Sequence, residues 1–177
     1  MNNTSKYDFT VIVPLYNEED NVWALEEKLG AWLKAAPVRS CVLFVDDGST
    51  DSSFERVREV CGRNDHFYYL QLSRNSGLSA ALKAGFDAAE SPWLGYIDAD
   101  LQTTPEDFNL LLSHTGDYDM VIGIRAHRRD TGFKKLQSKI ANGFRRKMTG
   151  DGVADTGCPL KVISTPLAKK LPMFTGL

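Results

Sequence analysis

The chain has 177 residues, 42% of them hydrophobic, and a formal net charge of −2. That suffices for one globular domain burying roughly 70% of its unfolded surface. Three cysteines of unrelated spacing, Cys41, Cys61 and Cys158, exclude a disulfide framework or a zinc knuckle and suit a reducing compartment. No signal-like stretch opens the chain, and no apolar run approaches the roughly 18 residues of a membrane span, so a soluble, cytoplasmic protein is expected.

In chain order, short apolar runs at 9–14, 42–46, 68–72, 93–98 and 120–124 read as strands. Helical patterns at 18–34, 52–62, 76–90 and 105–113 fall between them. Nearly all-apolar strands separated by crossover helices predict an α/β domain, its mostly parallel sheet flanked by helices on both faces. No repeat, low-complexity tract or linker divides residues 1–177. In an open α/β sheet, ligands bind in the crevice outside the carboxyl ends of the strands, so the polar residues at those ends are the functional candidates.

The first strand leaves through Pro14-Leu15-Tyr16-Asn17-Glu18-Glu19. Proline is expected to break the strand there. Tyr16 offers a ring to stack on a base and Glu18 a carboxylate to hydrogen-bond it, while Asn17 reads equally as a helix cap. The second strand ends in Asp46-Asp47-Gly48-Ser49-Thr50-Asp51. Two adjacent acids leaving a buried strand need a partner, such as a base edge, a ribose or a cation; Ser49, Thr50 or Asp51 is expected to cap the next helix. After the third strand, Asn75 and Gly77 lie in a loop whose helix N-terminus suits a phosphate, though a plain turn explains it as well.

The fourth strand delivers Asp98, Asp100 and Gln102. In extended chain these alternate residues share one face, and their hard oxygen donors suit Mg²⁺ or Mn²⁺ with positions left open for a diphosphate. The plainer alternative is that one aspartate caps a helix or braces a turn. Beyond residue 124 the charge changes: nine of the 21 Lys and Arg residues lie between Arg125 and Lys147 against one acid, leaving about +8 there and −10 elsewhere. Such asymmetry points to an anionic partner or a membrane surface. A helix at about 131–148 would carry Phe133, Leu136, Ile140, Phe144 and Met148 as a packing stripe. Lys134 and Ser138 fall i and i+4 near its start, where charge and dipole favour a phosphate, and Arg125 lies just before.

These motifs carry a resemblance. Val-Ile-Val-Pro-Leu-Tyr-Asn-Glu-Glu, Val-Asp-Asp-Gly-Ser-Thr-Asp, Arg-Asn-Ser-Gly-Leu-Ser-Ala-Ala-Leu-Lys-Ala-Gly and Asp-Ala-Asp-Leu-Gln-Thr-Thr-Pro-Glu, in that order, resemble a family-2 glycosyltransferase with the A-type fold. Arg-Arg-Asp-Thr-Gly-Phe-Lys-Lys-Leu-Gln-Ser-Lys and Asp-Thr-Gly-Cys-Pro-Leu-Lys are similar to the polyprenyl-phosphate branch, which includes the dolichyl-phosphate mannose synthases and bacterial undecaprenyl-phosphate glycosyltransferases. The resemblance implies an inverting transfer of a sugar from a nucleoside-diphosphate sugar to a polyprenyl phosphate. Pro14, Tyr16, Glu18 and Asp46 would hold the nucleotide, with Asn17, Asp47, Asn75 and Gly77 as further donor-side candidates. Asp98, Asp100 and Gln102 would surround the metal and diphosphate, and Arg125, Lys134 and Ser138 would grip the acceptor phosphate. At 134 some relatives carry arginine, so lysine keeps the charge and loses the bidentate fork. Asp155 is a candidate for orienting the acceptor or acting as base, with loop bracing as the alternative; Cys158 reads as structural.

On this reading residues 1–124 bind the nucleotide sugar and 125–177 form an incomplete acceptor-side part. Relatives continue past residue 177 into interfacial helices and membrane spans, so the chain is expected to be a catalytic fragment working at the inner face of the membrane in its full-length form. Homo-oligomerisation stays open and no nucleic-acid partner is expected. The alternatives are a family-2 enzyme with a soluble or polysaccharide acceptor, an inactive nucleotide-sugar-binding fragment, and a sugar-nucleotide nucleotidyltransferase. The last should carry a Gly-rich basic loop where Tyr-Asn-Glu-Glu stands.

Overall fold

The computed structural model describes residues 6–123 and 160–172. Its strands are β1 (Phe9–Leu15), β2 (Ser40–Asp46), β3 (Phe67–Gln71), β4 (Trp93–Tyr96), β5 (Met120–Ile122) and β6 (Lys161–Ser164). Its helices are α1 (Val22–Ala35), α2 (Ser53–Arg63), α3 (Leu78–Ala88), α4 (Asp107–Leu112) and α5 (Thr165–Lys170). The sheet order is β3-β2-β1-β4-β6-β5, parallel from β3 to β4. β6 runs antiparallel between β4 and β5.

The central strands are apolar on both sides because both sides are covered. Phe9, Val11, Val13 and Leu15 of β1 join Val42 and Phe44 of β2 in the core beneath α1, α2 and α4. Ile12, Leu43 and Val45 face the other way, against α3 and α5. On the first face Phe9, Trp32 and Phe108 meet with ring centroids 5.2 to 6.2 Å apart, and Trp32 Nε1 donates to Asn109 Oδ1 at 2.9 Å. Those rings tie α1 and α4 to β1. On the second, Gly85 lets α3 lie close to the sheet, since a Cβ there would stand 2.7 Å from Ile12 Cγ2.

Several boundaries differ from the sequence reading. β1 does not break at Pro14; it continues to Leu15, in register with β2. The ladder with β4 ends at Ile12 and Tyr96, followed only by the Ile97 N–H to Ile12 carbonyl bond. Pro14 has the parity of Ile12, so its missing N–H faces a side where no strand remains. α1 begins at Val22, not 18, because the intervening residues form a laced turn. β4 ends at Tyr96, short of Asp98, and β6 with α5 were not foreseen.

Since β2 and β3 lie on one side of β1 and β4 on the other, the chain direction across the sheet reverses between β1 and β4. That is where a doubly wound sheet opens a crevice at its carboxyl edge.

Candidate functional site

At that edge lies a cavity of about 370 Å³. The end of β1 contributes Pro14, Tyr16 and Glu18, and the end of β4 contributes Asp98 and Asp100. Asp47, Asn75 and Gly77 close it from the β2 and β3 side. Sequence reasoning had not singled out its apolar wall, Leu15, Leu78, Ala81 and Ala99. Tyr16 is 40% and Leu78 48% exposed, so two apolar surfaces stand open to a flat ligand. A larger depression of about 1230 Å³ lies at the opposite end of the sheet, beside Tyr7, Arg39 and His66. Strand amino ends are the wrong edge for ligand in this architecture, and its charges include the paired Asp8 and Arg39.

The loops on the β1–β2 side are laced to each other. Asn17 adopts a left-handed conformation, φ +54°, and its Oδ1 accepts the Thr50 N–H at 2.8 Å, while its own N–H goes to Ser49 Oγ at 3.0 Å. It therefore does not cap α1; Asn21 holds that position without a side-chain cap bond. The Glu18 N–H donates to Ser53 Oγ at 2.8 Å, and the Glu18 carboxylate accepts from Asn21 Nδ2 at 2.6 Å. Asp51 accepts the N–H groups of Ser53 at 2.9 Å and Glu19 at 3.3 Å, so it serves the start of α2 and the neighbouring loop together.

Asp46 and Asp47 are both buried. Asp46 is fully enclosed and accepts from the Ser49 N–H and from Gln71 Nε2, all at 3.3 Å; it is not part of the cavity wall. Asp47 accepts the Ser76 N–H at 2.8 Å and the Gly77 N–H at 2.7 Å. The amides expected to greet a phosphate at the start of α3 thus already bind a carboxylate of the chain itself. Gly48 makes this possible. Its φ is +70°, and a Cβ there would lie 2.5 Å from the Arg74 carbonyl carbon.

The β4 exit is built differently. The chain does not stay extended: it turns, with Leu101 at φ +61°, and the Gln102 N–H folds back to Asp100 Oδ1 at 3.0 Å. The expected common face of Asp98, Asp100 and Gln102 is therefore absent, and Gln102 is not among the cavity residues. A left-handed leucine costs roughly 1–2 kcal/mol against the right-handed form, so the surroundings must impose it. Lys28 of α1 donates to the Leu101 carbonyl at 3.0 Å and the Thr103 carbonyl at 2.8 Å, and the Leu101 side chain packs against the core. Asp98 is half-buried and has no hydrogen-bond partner among the described residues. Burial pushes its carboxyl pKa up, the charge of Asp100 adds to this, and Lys161 offsets part of it. Lys161 Nζ also lies 5.7 Å from the Tyr96 ring centroid.

Two carboxylates at the rim of a polar crevice are hard oxygen donors of the kind a divalent cation takes. Among the described residues no three His, Cys, Asp or Glu side chains gather as a metal site. The described residues thus supply two carboxylates at most, a number Mg²⁺ takes where water and phosphates fill its other positions. Asp98 and Asp100 fit Mg²⁺ or Mn²⁺ in that mode. Arg125, Lys134, Ser138, Asp155 and Cys158 lie outside the described residues. Of the other cysteines, burial pushes Cys41 and Cys61 up to about 12, which keeps both as unreactive thiols.

Parallel strands in this order, with paired acids at the switch point, define the A-type glycosyltransferase fold. Solved structures of that fold superpose well: glucosyl-3-phosphoglycerate synthase from Mycobacterium tuberculosis in complex with Mn²⁺ and UDP-glucose gives a TM-score of 0.70 at 18% identity, covering 96% of this chain and 60% of that one. A mannosyltransferase from Pyrobaculum calidifontis in complex with GDP-Man and Mn²⁺ gives 0.67 at 21%, covering 95% and 47%. The family model described as glycosyl transferase family 2 matches residues 10–171, and the chain belongs to that family. It is 33% identical over 171 residues to dodecaprenyl-phosphate galacturonate synthase from Rhizobium johnstonii, covering 94% of this chain and 51% of the relative. It is 37% identical over 154 residues to undecaprenyl-phosphate 4-deoxy-4-formamido-L-arabinose transferase from Pectobacterium carotovorum, covering 86% and 47%. The chain thus spans about half the length of these curated relatives. Among the described residues no helix is long and apolar enough to cross a membrane.

Proposed function

We propose that the chain is the sugar-transferring domain of an inverting glycosyltransferase that moves a sugar from a nucleoside-diphosphate sugar to a polyprenyl phosphate at the inner face of a membrane. The observation that carries this is the convergence of Tyr16, Glu18, Asp98 and Asp100 on one cavity at the sheet's carboxyl edge. The names of the relatives, both polyprenyl-phosphate enzymes, support the acceptor class. The basic segment from Arg125 to Lys147 supports it as well, since an anionic lipid phosphate needs neutralising charge.

In this reading residues 1–124 form the donor side and 125–177 the acceptor side. Tyr16 and Leu78 would flank the base, and Glu18 would accept from its polar edge. Asp98 and Asp100 would hold Mg²⁺ or Mn²⁺, with Gln102 acting through Asp100. A divalent ion held there would neutralise the charge growing on the departing diphosphate. The acceptor phosphate monoester has a second pKa of about 6 and is already ionised at neutral pH, so little general-base help is needed. What remains for the protein is aim: Arg125, Lys134 and Ser138 would hold that phosphate, and Asp155 would orient it, on the face of the sugar opposite the leaving group.

The test is a panel of UDP- and GDP-sugars labelled in the sugar, with Mg²⁺ or Mn²⁺, with and without undecaprenyl phosphate. Metal-dependent appearance of label in the lipid phase with one donor is expected. Label transferred only to water or to a soluble saccharide would contradict the lipid acceptor.

A further inference from the structure

Helix α1 does not line the donor cavity, yet it reaches the loop that carries both acids. Leu25, Leu29 and Trp32 anchor the helix in the core, and Lys28, on a half-exposed side, extends its ammonium to the 100–103 turn. Its bonds to the Leu101 and Thr103 carbonyls hold the 101–102 peptide, which carries the Gln102 N–H, and the 103–104 peptide beyond it. The Gln102 N–H in turn holds Asp100 Oδ1. The left-handed Leu101 is supported by its side chain packed against the core, by the Gln102 N–H bond to Asp100 and by Lys28, so one chain of bonds runs from a rigid helix through Lys28 to the orientation of Asp100. The helix needs nothing from Lys28, because its apolar face already fastens it.

We propose that Lys28 is a positioning residue for the cation site: its ammonium locks the left-handed turn at Leu101 and so sets the aim of Asp100 beside Asp98. This rests on the assignment of Asp98 and Asp100 as the cation's ligands. Groups that orient metal ligands without touching the metal typically contribute 10–100-fold in metal affinity.

The experiment measures Mn²⁺ binding to the 177-residue chain by electron paramagnetic resonance of the free ion, alongside thermal melting, for wild type, Lys28→Met, Lys28→Gln and Lys28→Arg. Lys28→Met and Lys28→Gln are expected to weaken Mn²⁺ binding by about 10-fold or more, with melting temperatures near wild type. Lys28→Arg, which keeps charge and donors, is expected to recover most of the affinity. Two uncharged variants guard against one of them misfolding. Unchanged Mn²⁺ affinity in the folded Lys28→Met or Lys28→Gln chain, with or without a lowered melting temperature, overturns the proposal by showing a simple brace. Absence of Mn²⁺ affinity in the wild type removes the cation site itself, and the positioning role with it.

Discussion

In the β2–α2 region Asp46, Asp47 and Asp51 each accept backbone N–H groups: Ser49 for the first, Ser76 and Gly77 for the second, Ser53 and Glu19 for the third. At the end of β4, Asp98 has no such partner among the described residues and Asp100 has one, the Gln102 N–H. Both sets sit at strand ends and read alike in sequence. Their difference lies in what the backbone has already done to them. Acids saturated by amides hold loops in place; Asp98, disfavoured as a charge by burial and by Asp100 and only partly offset by Lys161, has no such amide support among the described residues.

Substitutions separate the two regions by what they damage. The largest loss of stability is expected from Gly48→Ala, which puts a Cβ into the Arg74 backbone at a left-handed φ; about 3–5 kcal/mol should disappear from urea unfolding. Asp47→Ala leaves the Ser76 and Gly77 amides unpaired and should cost on the order of 3 kcal/mol by the same measurement. Donor binding is expected to weaken with it, as a consequence of a loosened α3 start. If Asp47→Ala unfolded like wild type, the scaffold half of the contrast would be wrong.

Asp98→Asn should act in the opposite sense. A carboxyl whose pKa is raised in the fold, by burial and by Asp100, favours the folded chain while protonated, below its unfolded value. That contribution is lost as pH rises through the raised folded value. Above the ordinary aspartate range the wild type without metal therefore carries a small penalty that asparagine lacks. Asp98→Asn is expected to melt slightly higher than the wild type at neutral pH. The difference should vanish in acid, and Mn²⁺ should raise the melting point of the wild type alone. A lower melting point for the variant at neutral pH would show Asp98 to be part of the scaffold.

How much of this could be read in advance follows from where each signal resides. β1 through β4 were legible because strands buried on both faces are nearly all apolar, and Val42 to Val45 can hardly be anything else. β6 was not: Lys161–Ser164 is four residues long, and only its place between β4 and β5 makes it a strand. The positions of Tyr16, Asp98 and Asp100 followed from topology. The fate of Asp47 did not, because its partners are amides some thirty residues downstream, and an amide leaves no mark in a sequence. The same holds for Lys28, whose acceptors are carbonyls, and for the turn at Leu101, a residue type that does not announce a left-handed conformation.

The most direct test of the account is calorimetric titration of the UDP- and GDP-sugar panel into the wild-type chain and Asp100→Ala, each with and without Mn²⁺. The account predicts that one donor class binds the wild type only with metal, and that Asp100→Ala loses this binding while melting like the wild type. Metal-independent binding of every donor, unchanged in Asp100→Ala, would contradict it.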